Sequence, residues 1–164
     1  MQKLIYSLPL LMTLSCGFLF AQEWPQFRGP NGNGHAAVDS AQTSWSEKEA
    51  LSWKTALPGK GWSSPVISDD FIWMTTAVEN ENGPVDLHAL CVSLESGKLI
   101  HNVKLFVQSD PEKIHTMNSY ASPTPVIAGN RVFCHFGNYG TACLDVKSGI
   151  VQWKVKRFEY KTQN

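Results

Sequence analysis

Ser119–Trp153, SYASPTPVIAGNRVFCHFGNYGTACLDVKSGIVQW, contains four short apolar runs separated by three turn signals. The turns are Ala128-Gly129-Asn130, Gly137-Asn138-Tyr139-Gly140 and Lys147-Ser148-Gly149. Runs rich in β-branched and aromatic residues, bounded by Gly and Asn, read as strands. Strands this short, joined by turns this tight, pair only as antiparallel neighbours. The stretch is therefore a four-stranded meander.

The unit occurs twice. Pro65-Val66-Ile67 recurs as Pro125-Val126-Ile127, 60 residues on. Cys91 and Ser96-Gly97 recur as Cys143 and Ser148-Gly149, 52 residues on. The difference lies in Thr76–His88, a longer and more polar hairpin in the first copy. A near-fixed period with one variable loop marks a repeat array, and four strands per unit make each repeat the size of a propeller blade. The expected fold class is all-β, a β-propeller of four-stranded antiparallel blades. About two blades and an orphan N-terminal strand are present.

The expected organisation follows in chain order. Residues 1–21 read as a signal peptide: Lys3, then an apolar run from Leu4 to Phe20, then Ala21 before Gln22. A single spanning helix competes with this reading, although Pro9, Ser7, Ser15 and Gly17 interrupt the run. Lipoprotein anchoring at Cys16 is a third option, with Thr13 where a lipobox carries Leu. Residues 22–50 form a lead-in that opens with Trp24-Pro25-Gln26-Phe27 and a Gly/Asn-rich loop. Residues 51–57 alternate and read as an orphan outer strand, since Trp53-Lys54 resembles Trp153-Lys154. Blade 1 spans 62–105, a polar connection 106–119, and blade 2 120–158. Residues 159–164 read as a truncated end. Closure takes about four to eight blades, so the chain is expected to be an N-terminal fragment or to assemble with other chains.

The chain of 164 residues is 43% hydrophobic and 17% charged, with zero formal net charge. Such a balance offers no electrostatic reason for a nucleic-acid partner, and no transmembrane segment is expected after residue 21. Three cysteines follow the leader, an odd number that cannot all pair internally. A symmetric Gly137–Gly140 turn would set Cys134 opposite Cys143 and permit a disulfide. Alternatively, all three are small buried strand residues.

Asp145-Val146-Lys147-Ser148-Gly149-Ile150-Val151-Gln152-Trp153 resembles the repeat of the PQQ-like (quinoprotein-like) β-propellers. Trp24–Pro30, Trp62–Val66 and Ala121–Val126 are similar to an exported bacterial branch of that family. The resemblance implies that Asp145 and Ser148 tie the turn, that Gly149 completes it, and that the Trp153 indole docks on a neighbouring blade. The first unit keeps Ser96-Gly97 but has Ser93 in place of Asp and His101 in place of Trp.

Function is less legible. His115, Asn118 and Ser119 precede the innermost strand of blade 2, where propeller loops open onto the central axis and bind ligands. Local turn bonding by Asn and Ser is the competing reading. His135 sits beside Cys134 on the opposite sheet face, so the two cannot share a metal, and no metal or catalytic set is expected. The six tryptophans are expected mainly in packing, with one or two free to stack on carbohydrate or quinone. The resulting expectation is an exported, periplasmic or extracellular, non-enzymatic binding or scaffold module of the bacterial envelope. Its partner would be an envelope protein or a polymer, including polysaccharide. The alternative is a fragment of a PQQ- and Ca-dependent dehydrogenase, with PQQ a cofactor by resemblance only. The chain has no vicinal Cys pair, and no acidic Ca²⁺ cluster falls on inner strands.

Overall fold

A computed structural model describes residues 23–36, 43–81 and 83–156. The expected leader, Cys16 and residues 159–164 lie outside them. Eight strands form two four-stranded antiparallel sheets. The first holds β1 (Val66–Ser68), β2 (Phe71–Glu79), β3 (Val85–Ser93) and β4 (Leu99–Gln108). The second holds β5 (Val126–Ala128), β6 (Arg131–His135), β7 (Thr141–Asp145) and β8 (Val151–Val155). Both run in sequence order, the arrangement that short turns impose. A 3-10 turn, Gly137–Tyr139, joins β6 to β7, and the described residues include no α-helix.

Register makes the repeat explicit. Trp73 pairs with Val66 and Cys91, and Cys91 with His101. Phe133 pairs with Val126 and Cys143, and Cys143 with Trp153. An irregularity follows Cys91 in one ladder and Cys143 in the other. Such a bulge bends the strand and strengthens its twist, so the two outer strands leave their sheets alike.

The core lies between the sheets and within their middle strands. Trp73, Leu87, Cys91, Val132, Cys134 and Leu144 are fully buried. Trp73 joins the two halves: its indole Nε1 donates to the Val146 carbonyl at 3.1 Å. Its ring stacks on His101, with centroids 5.8 Å apart. The His101 ring in turn lies over Gly149, and its Nε2 sits 2.8 Å from the Lys147 carbonyl. Two residues thus share the contact at this turn. His101 covers the glycine, and Trp73 supplies the indole hydrogen bond.

The expected strand at 51–57 makes no ladder. It is held by side chains: Trp53 Nε1 donates to the Leu94 carbonyl at 2.9 Å, and Thr55 Oγ1 to the Gly97 carbonyl at 2.5 Å. Its alternation comes from Trp53 and Thr55 turning toward the first sheet, not from strand pairing. The ladder contact falls later, where Lys60 bridges Ala77. The lead-in does pair. Trp24 exchanges two 2.9 Å backbone bonds with Ile67, and Ile127 N donates to the Pro25 carbonyl at 2.7 Å. One short segment thereby binds the first strand of each sheet.

Two outcomes are expected. Trp73→Ala should cost about 3–5 kcal/mol in urea unfolding, since it removes a fully buried ring and strands the Val146 carbonyl. Gly97 has φ of 69°, and an added Cβ would fall 2.6 Å from Trp53 Cε3. Gly97→Ala should therefore cost about 1–2 kcal/mol from the backbone alone and more from the clash. In a Trp53→Ala background only the clash component should vanish; an unchanged cost in both backgrounds would refute the ring contact.

Candidate functional site

His115, Asn118 and Ser119 come together on the loop ahead of β5, where two open cavities meet. One, of about 580 Å³, is lined by Gly59–Trp62, Glu79 and this loop. The other, of about 520 Å³, lies between the same loop, Tyr120 and the 3-10 turn with Tyr139. Ile114, His115, Asn118 and Ser119 line both, so they form the ridge of one continuous cleft.

The walls are fixed by hydrogen bonds. Lys60 and Ala77 exchange two backbone bonds of 2.9 Å, and Thr76 Oγ1 donates to the Pro58 carbonyl at 2.7 Å. Gly61 runs so close to β2 that a Cβ would lie 2.5 Å from the Thr75 carbonyl oxygen. Trp62 N donates to the Ala121 carbonyl at 3.1 Å, and Ser119 Oγ to the Lys60 carbonyl at 3.1 Å. Ser64 N donates to Thr124 Oγ1 at 3.1 Å. The two loops that enclose the cleft are therefore tied to each other as well as to their own sheets.

The side-chain chemistry of the ridge follows from its partners. Met117 N donates to His115 Nδ1 at 3.2 Å, which places the neutral ring's proton on Nε2. Asn118 Oδ1 accepts from Ser119 N at 2.9 Å and from Ser122 Oγ. That engagement leaves its Nδ2 as a pair of donors. Tyr120 and Tyr139 meet edge to face with centroids 5.9 Å apart, and Tyr120 OH donates to the Glu112 carbonyl at 2.7 Å. Burial pushes both phenols above their ordinary range, with the Glu79 carboxylate adding to Tyr120 and a backbone hydrogen bond at Glu112 opposing the rise at Tyr139. Both stay neutral, and the Tyr120 proton is already given to Glu112. Turn bonding by Asn and Ser, the expected competitor, is thus real. It orients these groups without using all of their donors.

The repeat-motif residues lie away from the cleft, at the turns before β4 and β8. Asp145 Oδ1 accepts from Lys147 N, Ser148 N and Ser148 Oγ at 3.1, 2.8 and 2.9 Å, and Asn130 Nδ2 donates to the same carboxylate. In the first sheet the carboxylate has moved across the pair. Asp70 takes the place of Asn130, accepting from Glu95 N at 2.8 Å and Ser93 Oγ at 3.0 Å. Ser93 Oγ then accepts from Ser96 N at 3.1 Å. The departure at Ser93 is compensated by Asp70, a link invisible until the β1–β2 turn folds against the β3–β4 turn. Trp153, unlike Trp53 and His101, is 42% exposed, tilted against Phe133 at 6.1 Å.

Cys91, Cys134 and Cys143 are free and buried. Cys134 pairs with Ala142 and Cys143 with Phe133, one residue off the symmetric register. The slip puts the two cysteines on opposite faces, which rules out the disulfide geometry considered above. Burial pushes the Cys91 and Cys134 thiols up to about 12, with Asp70 and Cys143 respectively adding to the rise; Cys143 is also raised by burial. Thiols held protonated in this way are poor nucleophiles and poor metal ligands. His135 Nδ1 lies 2.8 Å from Thr141 Oγ1. Among the described residues no three His, Cys, Asp or Glu side chains converge as a metal would require. No helix among them is long and apolar enough to cross a membrane.

No protein-family model matches the chain, and neither does any curated protein.

Hydrogen bonds from Ser148 and Lys147 hold the Asp145 carboxyl below its ordinary 3.8. A lowered carboxyl contributes stability that is present above 3.8 and is lost as pH falls through the folded value. Asp145→Asn should therefore melt below the wild type at neutral pH, and the gap should narrow as pH drops below 3.8. A gap independent of pH would show that the charge contributes nothing.

Proposed function

We propose that the two sheets are blades of a PQQ-like repeat β-propeller, which acts as an exported, non-enzymatic binding or scaffold module of the bacterial envelope. The identical register of the sheets supports the repeat. So does the way each tight glycine turn receives a ring from the preceding segment, Trp53 on Gly97 and His101 on Gly149. Radial and linear arrays propagate through such nearest-neighbour contacts.

The observation that carries the binding role is the cleft. It is preformed, bordered by aromatic side chains, and crossed by a ridge with unused donors. Pockets of this size and composition are the usual sites of recognition. The ridge lies beside the innermost strands, where a propeller presents its ligand-binding loops.

Co-sedimentation with a washed bacterial envelope preparation tests this. The wild type should pellet in a saturable manner, and a His115→Ala/Asn118→Ala double variant, altered only at exposed side chains, should remain in solution. Titration with PQQ and Ca²⁺ should leave quinone absorbance unperturbed; saturable binding with dye reduction would establish the dehydrogenase reading instead.

A further inference from the structure

Trp62 is the most exposed large apolar side chain lining the cleft, with 64% of its surface open, and yet its backbone is anchored. Its N–H is bonded to Ala121, and the preceding Lys60 is bonded to Ala77 in both directions. Packing does not account for a bulky apolar ring left open beside a cavity on an anchored backbone. A flat platform for a ligand does.

The groups facing the same cavity define the ligand. His115 Nε2–H and Asn118 Nδ2 offer donors. The Glu79 carboxylate offers acceptors and is 3.5 Å from Lys60 Nζ. One cation and one anion leave the cavity without a net field, which disfavours phosphate, a polyanion or a basic peptide. An aromatic face flanked by alternating donors and acceptors at zero net charge suits a ring with one apolar face and a rim of hydroxyls. Beyond the ridge the cleft continues to Tyr120 and Tyr139, a second aromatic surface with neutral hydroxyls. Two aromatic surfaces on either side of one ridge of donors fit consecutive rings of a chain.

We infer that this cleft binds a neutral oligosaccharide, one sugar ring stacking on Trp62 while His115, Asn118 and Glu79 bond its hydroxyls and the chain extends toward Tyr139. This names a ligand class for the binding module proposed above and rests on that reading.

The test is NMR of the ¹⁵N-labelled protein, with the Trp62 indole signal assigned by its loss in Trp62→Phe. Cellopentaose, xylopentaose, laminaripentaose and chitopentaose are each titrated to about 10 mM, a range that detects even millimolar affinity. At least one should shift the Trp62 indole saturably. Trp62→Ala should weaken that oligosaccharide at least roughly tenfold, Trp62→Phe less, and both variants should keep the wild-type melting temperature because the ring is exposed. Added heparin should not compete. If no oligosaccharide shifts Trp62, or if Trp62→Ala binds as well as the wild type, the inference is overturned. Envelope co-sedimentation that persists in that case, and is lost in the His115→Ala/Asn118→Ala variant, leaves the binding module standing with a non-glycan partner; its absence would remove both readings.

Discussion

A flat ring laid over a glycine in the left-handed region is the contact on which the rest of this structure depends. It occurs four times: Trp24 on Gly29, Trp53 on Gly97, Phe106 on Gly140 and His101 on Gly149. The glycines have φ of 76°, 69°, 128° and 67°, conformations that other residues adopt only at a cost. The turn's demand for glycine and the ring's demand for a bare backbone are met by the same residue. Three of the four contacts also join segments distant in sequence, while Trp24 on Gly29 closes a local loop.

This arrangement explains how two small sheets share one core. β1 and β5 have three residues each, too few to hold a sheet together by pairing alone. They are supported at one edge by Trp24 and Pro25 and behind by Trp73, whose indole reaches the second sheet. The cleft sits on the same framework. Its walls are the loops leading into β1 and β5, and bonds between those loops hold Trp62 and the His115–Ser119 ridge in place.

The Asp70–Ser93 pair and its counterpart Asn130–Asp145 illustrate how a repeat tolerates substitution. What the turn needs is one carboxylate and one neutral partner between adjacent hairpins. Either hairpin can supply the carboxylate. His101 and Trp73 divide the work of a single Trp in the same way. Equivalent positions read one by one look like lost motifs; read as pairs across space they are conserved chemistry in exchanged places.

The strands, their antiparallel order and the twofold repetition were legible in the sequence because they depend on local spacing: β-branched runs, Gly/Asn turns and offsets that place Cys91 and Cys143 alike. That His115, Asn118 and Ser119 share one loop ahead of β5 was legible too, because they lie within a few residues of one another in a polar connection. Other features were decided by tertiary contacts. One residue of register at the Gly137–Tyr139 turn separates Cys134 from Cys143, and a local pattern does not specify that turn's internal geometry. Residues 51–57 alternate like a strand but form no ladder, because their alternation records side-chain docking on Gly97. Trp62 was one tryptophan among six. Its exposure became evident only once the chain around it was folded, since burial is a property of what folds against a residue and not of the residue itself.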